Sequence, residues 1–164
     1  MADWNVTRGL ADRFGFDFGV EHFKTSTGWT NKYVDGFALI TESPVNWRQY
    51  FQDRIEAMGY PVPVCTGRSG ALLLGLLGRG MLVNLRGPEE GPEILSVHAW
   101  TIDEVRRAGV VLMDDICFTH RTLDRLRGWA DARDLEVRGE LVALPYMNAG
   151  ELTAECMTTM LRNS

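Results

Sequence analysis

Residues 110–123, VVLMDDICFTHRTL, constrain the fold of this chain more than any other segment. Four consecutive apolar residues run directly into the adjacent carboxylates Asp114 and Asp115. An unbroken apolar run of this length is typical of a strand that is buried on both faces, as in a parallel sheet. A short turn follows, and a helical pattern begins at Thr122. A strand, an acidic turn and a helix in this order predict a ligand crevice at the carboxyl end of a parallel sheet.

Strand-like and helix-like segments alternate along most of the chain. We predict strands at residues 22–25, 33–39, 61–64, 81–85, 94–100, 109–113 and 136–144. We predict helices at residues 3–14, 44–58, 71–77, 102–107, 122–133 and 150–162. We expect Thr101 to cap the helix at residues 102–107, and we expect the helix at residues 71–77 to be buried nearly all round. The alternation predicts an α/β fold, a mostly parallel central sheet with helices on both faces.

Length and charge limit the classes of protein to which the chain can belong. A length of 164 residues predicts a single domain with its own core, spanning residues 1–164. The formal net charge of −5 argues against a nucleic-acid surface, because contacts to phosphates need clustered positive charge. Three cysteines without metal-ligand spacing suggest neither a disulfide framework nor a zinc site. No apolar run reaches membrane-spanning length, so we expect a cytoplasmic protein with no membrane partner.

The acidic pair is the first candidate for chemistry. Two adjacent carboxylates at the end of a buried strand are costly through desolvation and repulsion, which sugar hydroxyls or a magnesium ion would relieve. The segment resembles the phosphoribosyl-pyrophosphate (PRPP) signature of type I phosphoribosyltransferases, an apolar strand with an acidic pair followed by a Thr-Thr-Gly-x-Thr turn. The resemblance implies that Asp114 and Asp115 hold the ribose hydroxyls of PRPP. It also implies an indirect role for both at Mg²⁺, through the ribose or through water.

The turn after the acidic pair departs from that signature. Thr119 and Thr122 match two of its threonines, and the resemblance makes them candidate hydroxyl donors to the 5′-phosphate. His120 stands where the family has glycine, whose backbone takes a positive φ and approaches the phosphate closely. Histidine tolerates that geometry better than most residues. The side chains of His120 and Arg121 either contact the phosphate or fill the phosphate-binding turn, which we call the cradle, so that no phosphate can enter it.

A second phosphate-binding candidate is Thr66-Gly67-Arg68-Ser69-Gly70, within a tight loop that we expect at residues 65–70, between a short apolar strand and a helix. Glycines at such a turn let backbone amides face an anion, although many strand-to-helix turns use glycine only for packing. The segment resembles the pyrophosphate loop of the same family. The resemblance makes Thr66, Gly67, Arg68 and Ser69 phosphate-binding candidates, with Arg68 adding positive charge.

The amino-terminal stretch FKTSTGWTNKYVDGFAL resembles a segment of orotate phosphoribosyltransferases, with matches at Phe23, Gly28, Tyr33 and Asp35. In that family the segment forms part of a small hood over the base, which here corresponds mainly to residues 15–40. The resemblance makes Phe23, Lys24 and Lys32 base-binding candidates, with a lysine meeting an acidic base such as orotate. Otherwise the segment is a surface hairpin with solvated lysines.

The loop at residues 86–92, RGPEEGP, resembles the orotate enzymes only in part. Arg86 matches an arginine of their mobile loop and is a further phosphate-binding candidate. The lysines are missing, and Glu89, Glu90 and Glu93 bring negative charge where a leaving diphosphate needs positive charge. This loop argues against ordinary catalysis.

Three functional hypotheses follow from these segments. The first is a magnesium-dependent enzyme that transfers a phosphoribosyl group from PRPP to a nitrogenous base. By resemblance the base is a pyrimidine such as orotate, which implies a role in pyrimidine biosynthesis, and the enzyme is a homodimer. The second is a weakly active or inactive module on the same fold that senses PRPP or a nucleotide. The third is an unrelated doubly wound α/β protein such as a flavodoxin-like domain.

Overall fold

The computed structural model describes residues 15–17, 23–25, 28–30, 32–34, 40–42, 45–96, 98–116, 120–144, 147–148 and 151–152, with the backbone alone before residue 40 and from residue 144 on. The chain divides into two compact units. One comprises Met1–Trp47, Asp115–Thr122 and Val142–Ser164, and the other comprises Arg48–Asp114 and Leu123–Leu141. The assignment of the whole chain to one domain stays a prediction.

Four short strands occupy the segment that the resemblance assigns to the hood: β1 (Gly15–Asp17), β2 (Phe23–Thr25), β3 (Gly28–Thr30) and β4 (Lys32–Val34). β2 pairs antiparallel with β3, so Thr25 lies opposite Gly28. β1 pairs antiparallel with β4. The two strands predicted at residues 22–25 and 33–39 are therefore not partners, because residues 23–25 pair with residues 28–30. Tyr33 lies in β4, which pairs with β1, a strand that was not predicted.

The larger sheet has five strands in the order β7-β6-β5-β8-β9. They are β5 (Val62–Thr66), β6 (Met81–Val83), β7 (Ile94–Ser96), β8 (Val110–Ile116) and β9 (Val137–Leu144). β5 runs parallel to both β6 and β8, and β7 runs antiparallel to β6. This arrangement confirms the predicted mostly parallel sheet. Because parallel strands end at the same edge, Thr66 and Asp114 both lie at the carboxyl edge of this sheet.

Four helices lie within the described residues 45–96, 98–116 and 120–144: α1 (Trp47–Ala57), α2 (Gly67–Leu77), α3 (Ile102–Ala108) and α4 (Arg121–Asp131). The predicted cap of α3 is confirmed, since the Thr101 hydroxyl accepts from the Glu104 amide at 3.1 Å and the Glu104 carboxylate accepts from the Thr101 amide at 2.7 Å. The second bond lowers the pKa of Glu104, because it stabilises the charged form. No helix in the described ranges combines the length and hydrophobicity that a membrane span needs.

The core includes β8 and the apolar faces of α1 and α2. Residues 110–113 are at most 1% exposed, which confirms a strand buried on both faces. α1 contributes Trp47, Phe51 and Ile55, which are buried at the predicted helical spacing. α2 contributes Leu73, Leu74 and Leu77, whereas Ala71 and Gly75 are exposed. The expectation that this helix is buried all round was therefore wrong.

Several boundaries also differ from the predicted ones. β5 continues through Thr66 and α2 begins at Gly67, so the expected loop at residues 65–70 is absent. β7 covers only Ile94–Ser96 of the expected strand 94–100, and all three of its residues are exposed. Glu151–Leu152 form a strand, which contradicts the start of the predicted terminal helix. The remainder of that helix and the helix at residues 3–14 lie outside the described residues.

Candidate functional site

A cleft of about 570 Å³ lies beside the carboxyl ends of β5 and β6, and we refer to it as the β5–β6 cleft. Its polar lining residues are Thr66, Arg68, Asn84, Arg86 and Glu90, and the other lining residues are apolar or glycine. The cleft thus brings together four predicted phosphate-binding residues, which are Thr66, Gly67, Arg68 and Arg86. Ser69 lies in the first turn of α2 and does not line the cleft.

The two glycines of the Thr66–Gly70 segment have different roles. Gly67 has a φ of +73°, a conformation that glycine adopts without strain. Gly70 has an ordinary φ, but a Cβ placed on it would lie 2.8 Å from the Cβ of Cys65. The first glycine therefore allows a sharp entry into α2, and the second allows the helix to pack closely on β5. The packing interpretation therefore holds for Gly70, and the role of Gly67 in an anion-binding turn stays a prediction.

The amino terminus of α2 opens onto the β5–β6 cleft. Thr66 occupies the cap position, but its side chain makes no capping hydrogen bond. Its hydroxyl instead donates to the carbonyl oxygen of Val83 at 2.6 Å, which ties β5 to the end of β6. The first amides of a helix have no intrahelical acceptor and attract anions. Together with Arg68 and Arg86 they make one side of the cleft suitable for a phosphate group.

The acidic pair lies inside β8 and not after it, because the strand continues to Ile116. Successive side chains of a strand point to opposite faces, so the two carboxylates are not equivalent. Asp114 is 8% exposed, whereas Asp115 is partly exposed and accepts a hydrogen bond from the Ile116 amide at 2.8 Å. Asp115 is therefore the more accessible carboxylate.

The predicted 5′-phosphate turn is described only from His120 onward, so Thr119 lies outside the described residues. His120 has a φ of +64°, the left-handed conformation for which glycine is suited. Arg121 and Thr122 begin α4 directly after it, the first exposed and the second partly exposed. The backbone at His120 thus adopts the geometry of a glycine turn although a side chain is present.

This conformation predicts the effect of His120→Gly on stability. A left-handed conformation strains most non-glycine residues by about 1–2 kcal/mol, and glycine removes the strain at some entropic cost. We expect the free energy of unfolding, measured by urea titration, to stay constant or to rise by up to about 1 kcal/mol. Asp134→Gly, at a φ of +54° in an exposed turn, is the matched control and should behave alike.

A clear drop in stability for His120→Gly, with none for the control, would contradict strain relief and would show that the imidazole makes stabilising contacts. Affinity for a nucleoside 5′-monophosphate separates the two roles left open for this side chain. Weaker binding is expected if the imidazole reaches the phosphate, and tighter binding if it closes the cradle.

The base-binding candidates are described by their backbone alone. Phe23 and Lys24 lie in β2, and Lys32 lies in β4. Lys24 is opposite Trp29 in the antiparallel register. Base binding by these residues stays a prediction.

The described residues include no group of three or more His, Cys, Asp or Glu side chains that could enclose a metal ion. Mg²⁺ is commonly held by one or two carboxylates together with substrate phosphates. Asp114 and Asp115 supply carboxylates of this kind, and their indirect role at Mg²⁺, through the ribose or through water, stays a prediction.

Two polar lining residues, Asn84 and Glu90, were not among the predicted ligand-binding residues, and Glu90 was expected only to bring opposing charge. Asn84 lies directly after β6, and Glu90 ends the single helical turn Pro88–Glu90. An asparagine between an apolar strand and a Gly-Pro loop is a turn signal, and this signal was available in the sequence. The position of Glu90 inside the cleft depends on the path of the loop, which no local pattern specifies.

Comparisons with known proteins identify the fold. The structure is similar to orotate phosphoribosyltransferase from Francisella tularensis, with a TM-score of 0.51, 8% identity and 96% coverage of both chains. It is similar to orotate phosphoribosyltransferase from Aeropyrum pernix, with a TM-score of 0.50, 16% identity and coverage of 95% of this chain and 88% of that one. It is also similar to adenine phosphoribosyltransferase from Leishmania donovani, with a TM-score of 0.50, 19% identity and coverage of 85% of this chain and 67% of that one.

No family model and no curated protein sequence matches the chain. The structural likeness confirms the predicted fold, that of the type I phosphoribosyltransferases. These likenesses favour the phosphoribosyltransferase fold over the flavodoxin-like alternative.

Proposed function

We propose that this chain, which has the phosphoribosyltransferase fold, transfers a phosphoribosyl group from PRPP to a nitrogenous base and releases pyrophosphate. The observation that supports this proposal most directly is the β5–β6 cleft. Two arginines, Arg68 and Arg86, line it together with Thr66 and Gly67 at the start of α2. Asp114 lies at the same edge of the sheet, in the strand whose sequence resembles the PRPP signature.

Each part of the proposed site has a physical task. Asp115, the more exposed carboxylate of the pair, is the proposed main acceptor for the ribose hydroxyls and fixes the orientation of the sugar, and the resemblance assigns Asp114 to the same sugar. The turn at Thr119–Thr122 binds the 5′-phosphate through backbone amides and side chains. Arg68, Arg86 and the first amides of α2 stabilise the charge that develops on the leaving diphosphate. Mg²⁺, when bound with PRPP, neutralises part of the diphosphate charge.

The finer assignments follow from the amino-terminal resemblance. We assign Phe23, Lys24 and Lys32 to the base, which favours a pyrimidine such as orotate and a place in pyrimidine biosynthesis. The similar structures include enzymes named for orotate and for adenine, so the choice of base depends on this segment alone. We further propose a homodimer in the cytoplasm, since twofold dimers are the commonest assembly.

A second candidate function is a sensor that binds PRPP or a nucleotide without turnover. The acidic loop favours it, because Glu90 lines the same cleft as the two arginines. His120 in the 5′-phosphate turn also favours it, if its side chain occupies part of the cradle.

One experiment tests both functions. PRPP is titrated into the protein by calorimetry with and without Mg²⁺, and pyrophosphate release is then followed over a panel of pyrimidine and purine bases. Turnover with one base supports the enzyme, and binding without turnover supports the sensor. Absence of binding in both conditions excludes both.

The carboxylate in the cleft leads to a further prediction. Glu90→Gln removes a negative charge that opposes pyrophosphate, and one charge at a partly solvated distance of several ångströms is worth on the order of 1 kcal/mol. We expect metal-free pyrophosphate to bind about three- to tenfold more tightly to the variant, as measured by calorimetry at low salt. Glu89→Gln makes the same change of charge at an exposed residue that does not line the cleft, so it should change affinity much less. Equal effects of the two variants would mean that only the net charge of the loop matters.

A further inference from the structure

The loop between β6 and β7, residues 84–93, is folded around one side chain. The Asn84 amide nitrogen donates to the carbonyl oxygens of Gly87 at 2.8 Å and Gly91 at 3.1 Å. Its side-chain oxygen accepts from the Arg86 amide at 2.9 Å. The Asn84 backbone amide donates to the Glu93 carbonyl oxygen at 2.8 Å. A single residue therefore joins the beginning, middle and end of the loop.

Both ends of this loop are also held by one helix. Arg125, Trp129 and Arg133 follow each other at intervals of four, so they lie on one face of α4 and its extension, which we call the α4 clamp. Arg125 donates to the Leu85 carbonyl oxygen at 2.9 Å. The indole nitrogen of Trp129 donates to the Glu93 carboxylate at 3.2 Å, and Arg133 forms an ion pair with the same carboxylate.

The α4 clamp is itself ordered. The Arg133 guanidinium lies 4.7 Å from the centre of the Trp129 ring, and it donates to the Trp129 carbonyl oxygen at 3.0 Å. Trp129 is 8% exposed. Its side chain is therefore fixed by packing as well as by hydrogen bonds, and it gives the Glu93 end of the loop a rigid attachment.

We propose that loop 84–93 is a fixed wall of the β5–β6 cleft, with Asn84 and the α4 clamp as positioning residues for Arg86. This inference rests on the proposed function, since it assigns Arg86 to the diphosphate. A loop with two external attachments and an internal hub has few conformations to lose when a ligand binds. Affinity for the diphosphate then comes from a preorganised arginine and not from closure of a mobile lid.

The test measures two ligands on the full-length protein. Calorimetry gives the dissociation constants of inorganic pyrophosphate and of a nucleoside 5′-monophosphate, and hydrogen exchange reports on residues 84–93. We expect Asn84→Ala to weaken pyrophosphate about tenfold, to leave the monophosphate within about twofold, and to accelerate exchange at the Arg86 amide. A merely structural role would weaken both ligands together.

Two milder variants keep the test valid if Asn84→Ala does not fold. Trp129→Phe keeps the aromatic ring and removes the bond to Glu93, and Arg125→Ala removes the bond to Leu85. Each should weaken pyrophosphate by about threefold without affecting the monophosphate. Arg127→Ala is the matched control, because Arg127 lies on the same helix and pairs with Glu140 at 2.9 Å, outside the loop.

The possible failures are distinguishable. If the wild-type protein binds the monophosphate and pyrophosphate, but the Asn84, Trp129 and Arg125 variants match the wild type, the positioning role is overturned and the proposed function stands. Rapid exchange throughout residues 84–93 in the wild type would likewise overturn the fixed wall. If the wild type binds neither ligand, both the fixed wall and the proposed function are overturned.

Discussion

Turnover should become undetectable in the Asp114→Asn, Asp115→Asn double variant, and affinity for a nucleoside 5′-monophosphate should fall by at least about 100-fold. Hydrogen bonds from sugar hydroxyls to a carboxylate are charge-assisted, and each is worth about 1.5–3 kcal/mol. Asparagine keeps the size of the side chain but carries no charge. Calorimetry and a pyrophosphate-release assay provide the two measurements.

The effects expected of the two single variants follow from the positions of Asp114 and Asp115 within β8. Adjacent strand residues point to opposite faces, and Asp115 is more exposed than Asp114. Asp115→Asn alone should therefore account for most of the loss. Asp131→Asn, an exposed position at the end of α4, makes the same chemical change away from the site and should retain full binding. A double variant that binds the monophosphate as the wild type does would remove the proposed sugar site.

The second large effect concerns a glycine beside the cleft. An added Cβ at Gly70 would lie 2.8 Å from the Cβ of Cys65 and 3.2 Å from its carbonyl carbon, distances at which the backbone has to move. Overpacking of this kind destabilises by about 1–3 kcal/mol, which exceeds the gain of about 1 kcal/mol from alanine in a helix. We expect Gly70→Ala to lower the free energy of unfolding by up to about 2 kcal/mol and to weaken pyrophosphate binding.

Gly75 provides the matched control in the same helix. It is exposed, and a Cβ there would meet no atom within 4 Å. Gly75→Ala should therefore raise the free energy of unfolding by about 0.5–1 kcal/mol, the opposite sign for the same substitution. Urea unfolding of both variants checks the pair. If Gly70→Ala were as stable as Gly75→Ala, close packing of α2 on β5 would not be the reason for that glycine.

The segment from Thr66 to Gly70 contains both residues that affect stability and a residue of the proposed diphosphate site. Gly67 supplies a left-handed backbone at the entry to α2, and Gly70 allows the contact with Cys65. Between them lies Arg68, which lines the cleft. Because these features are adjacent, a change that displaces the first turn of α2 also displaces the proposed diphosphate site.

The predicted sheet and most helices could be obtained from sequence because their signals are local. The apolar run at residues 110–113 predicted a buried strand, and all four residues are at most 1% exposed. Thr101 was the predicted cap of a helix, and the structure has it there in a capping box with Glu104. In each case the physical cause lies within a few neighbouring residues, namely alternation or periodicity of apolar side chains and the hydrogen-bonding needs of a helix end.

The pairing of the short strands β1–β4 and the composition of the β5–β6 cleft could not be predicted from local patterns. The pairing of β2 with β3, and of β1 with β4, depends on which short segments meet, and several registers suit the same polar sequence. Glu90 enters the β5–β6 cleft because Asn84 folds the loop, and Glu93 is held by Trp129, thirty-six residues further along the chain. Long-range contacts of this kind leave no local pattern.

By itself the sequence determined a mostly parallel sheet with a buried strand that carries an acidic pair and a helix capped by Thr101, since burial, periodicity and turn chemistry are properties of short segments. Only the tertiary structure decided that Arg68, Arg86 and Glu90 line one cleft and that Asp114 and Asp115 differ in exposure. The reason is that the chain path between distant elements, and the point at which a strand ends, are set by packing against the whole sheet and not by the residues concerned.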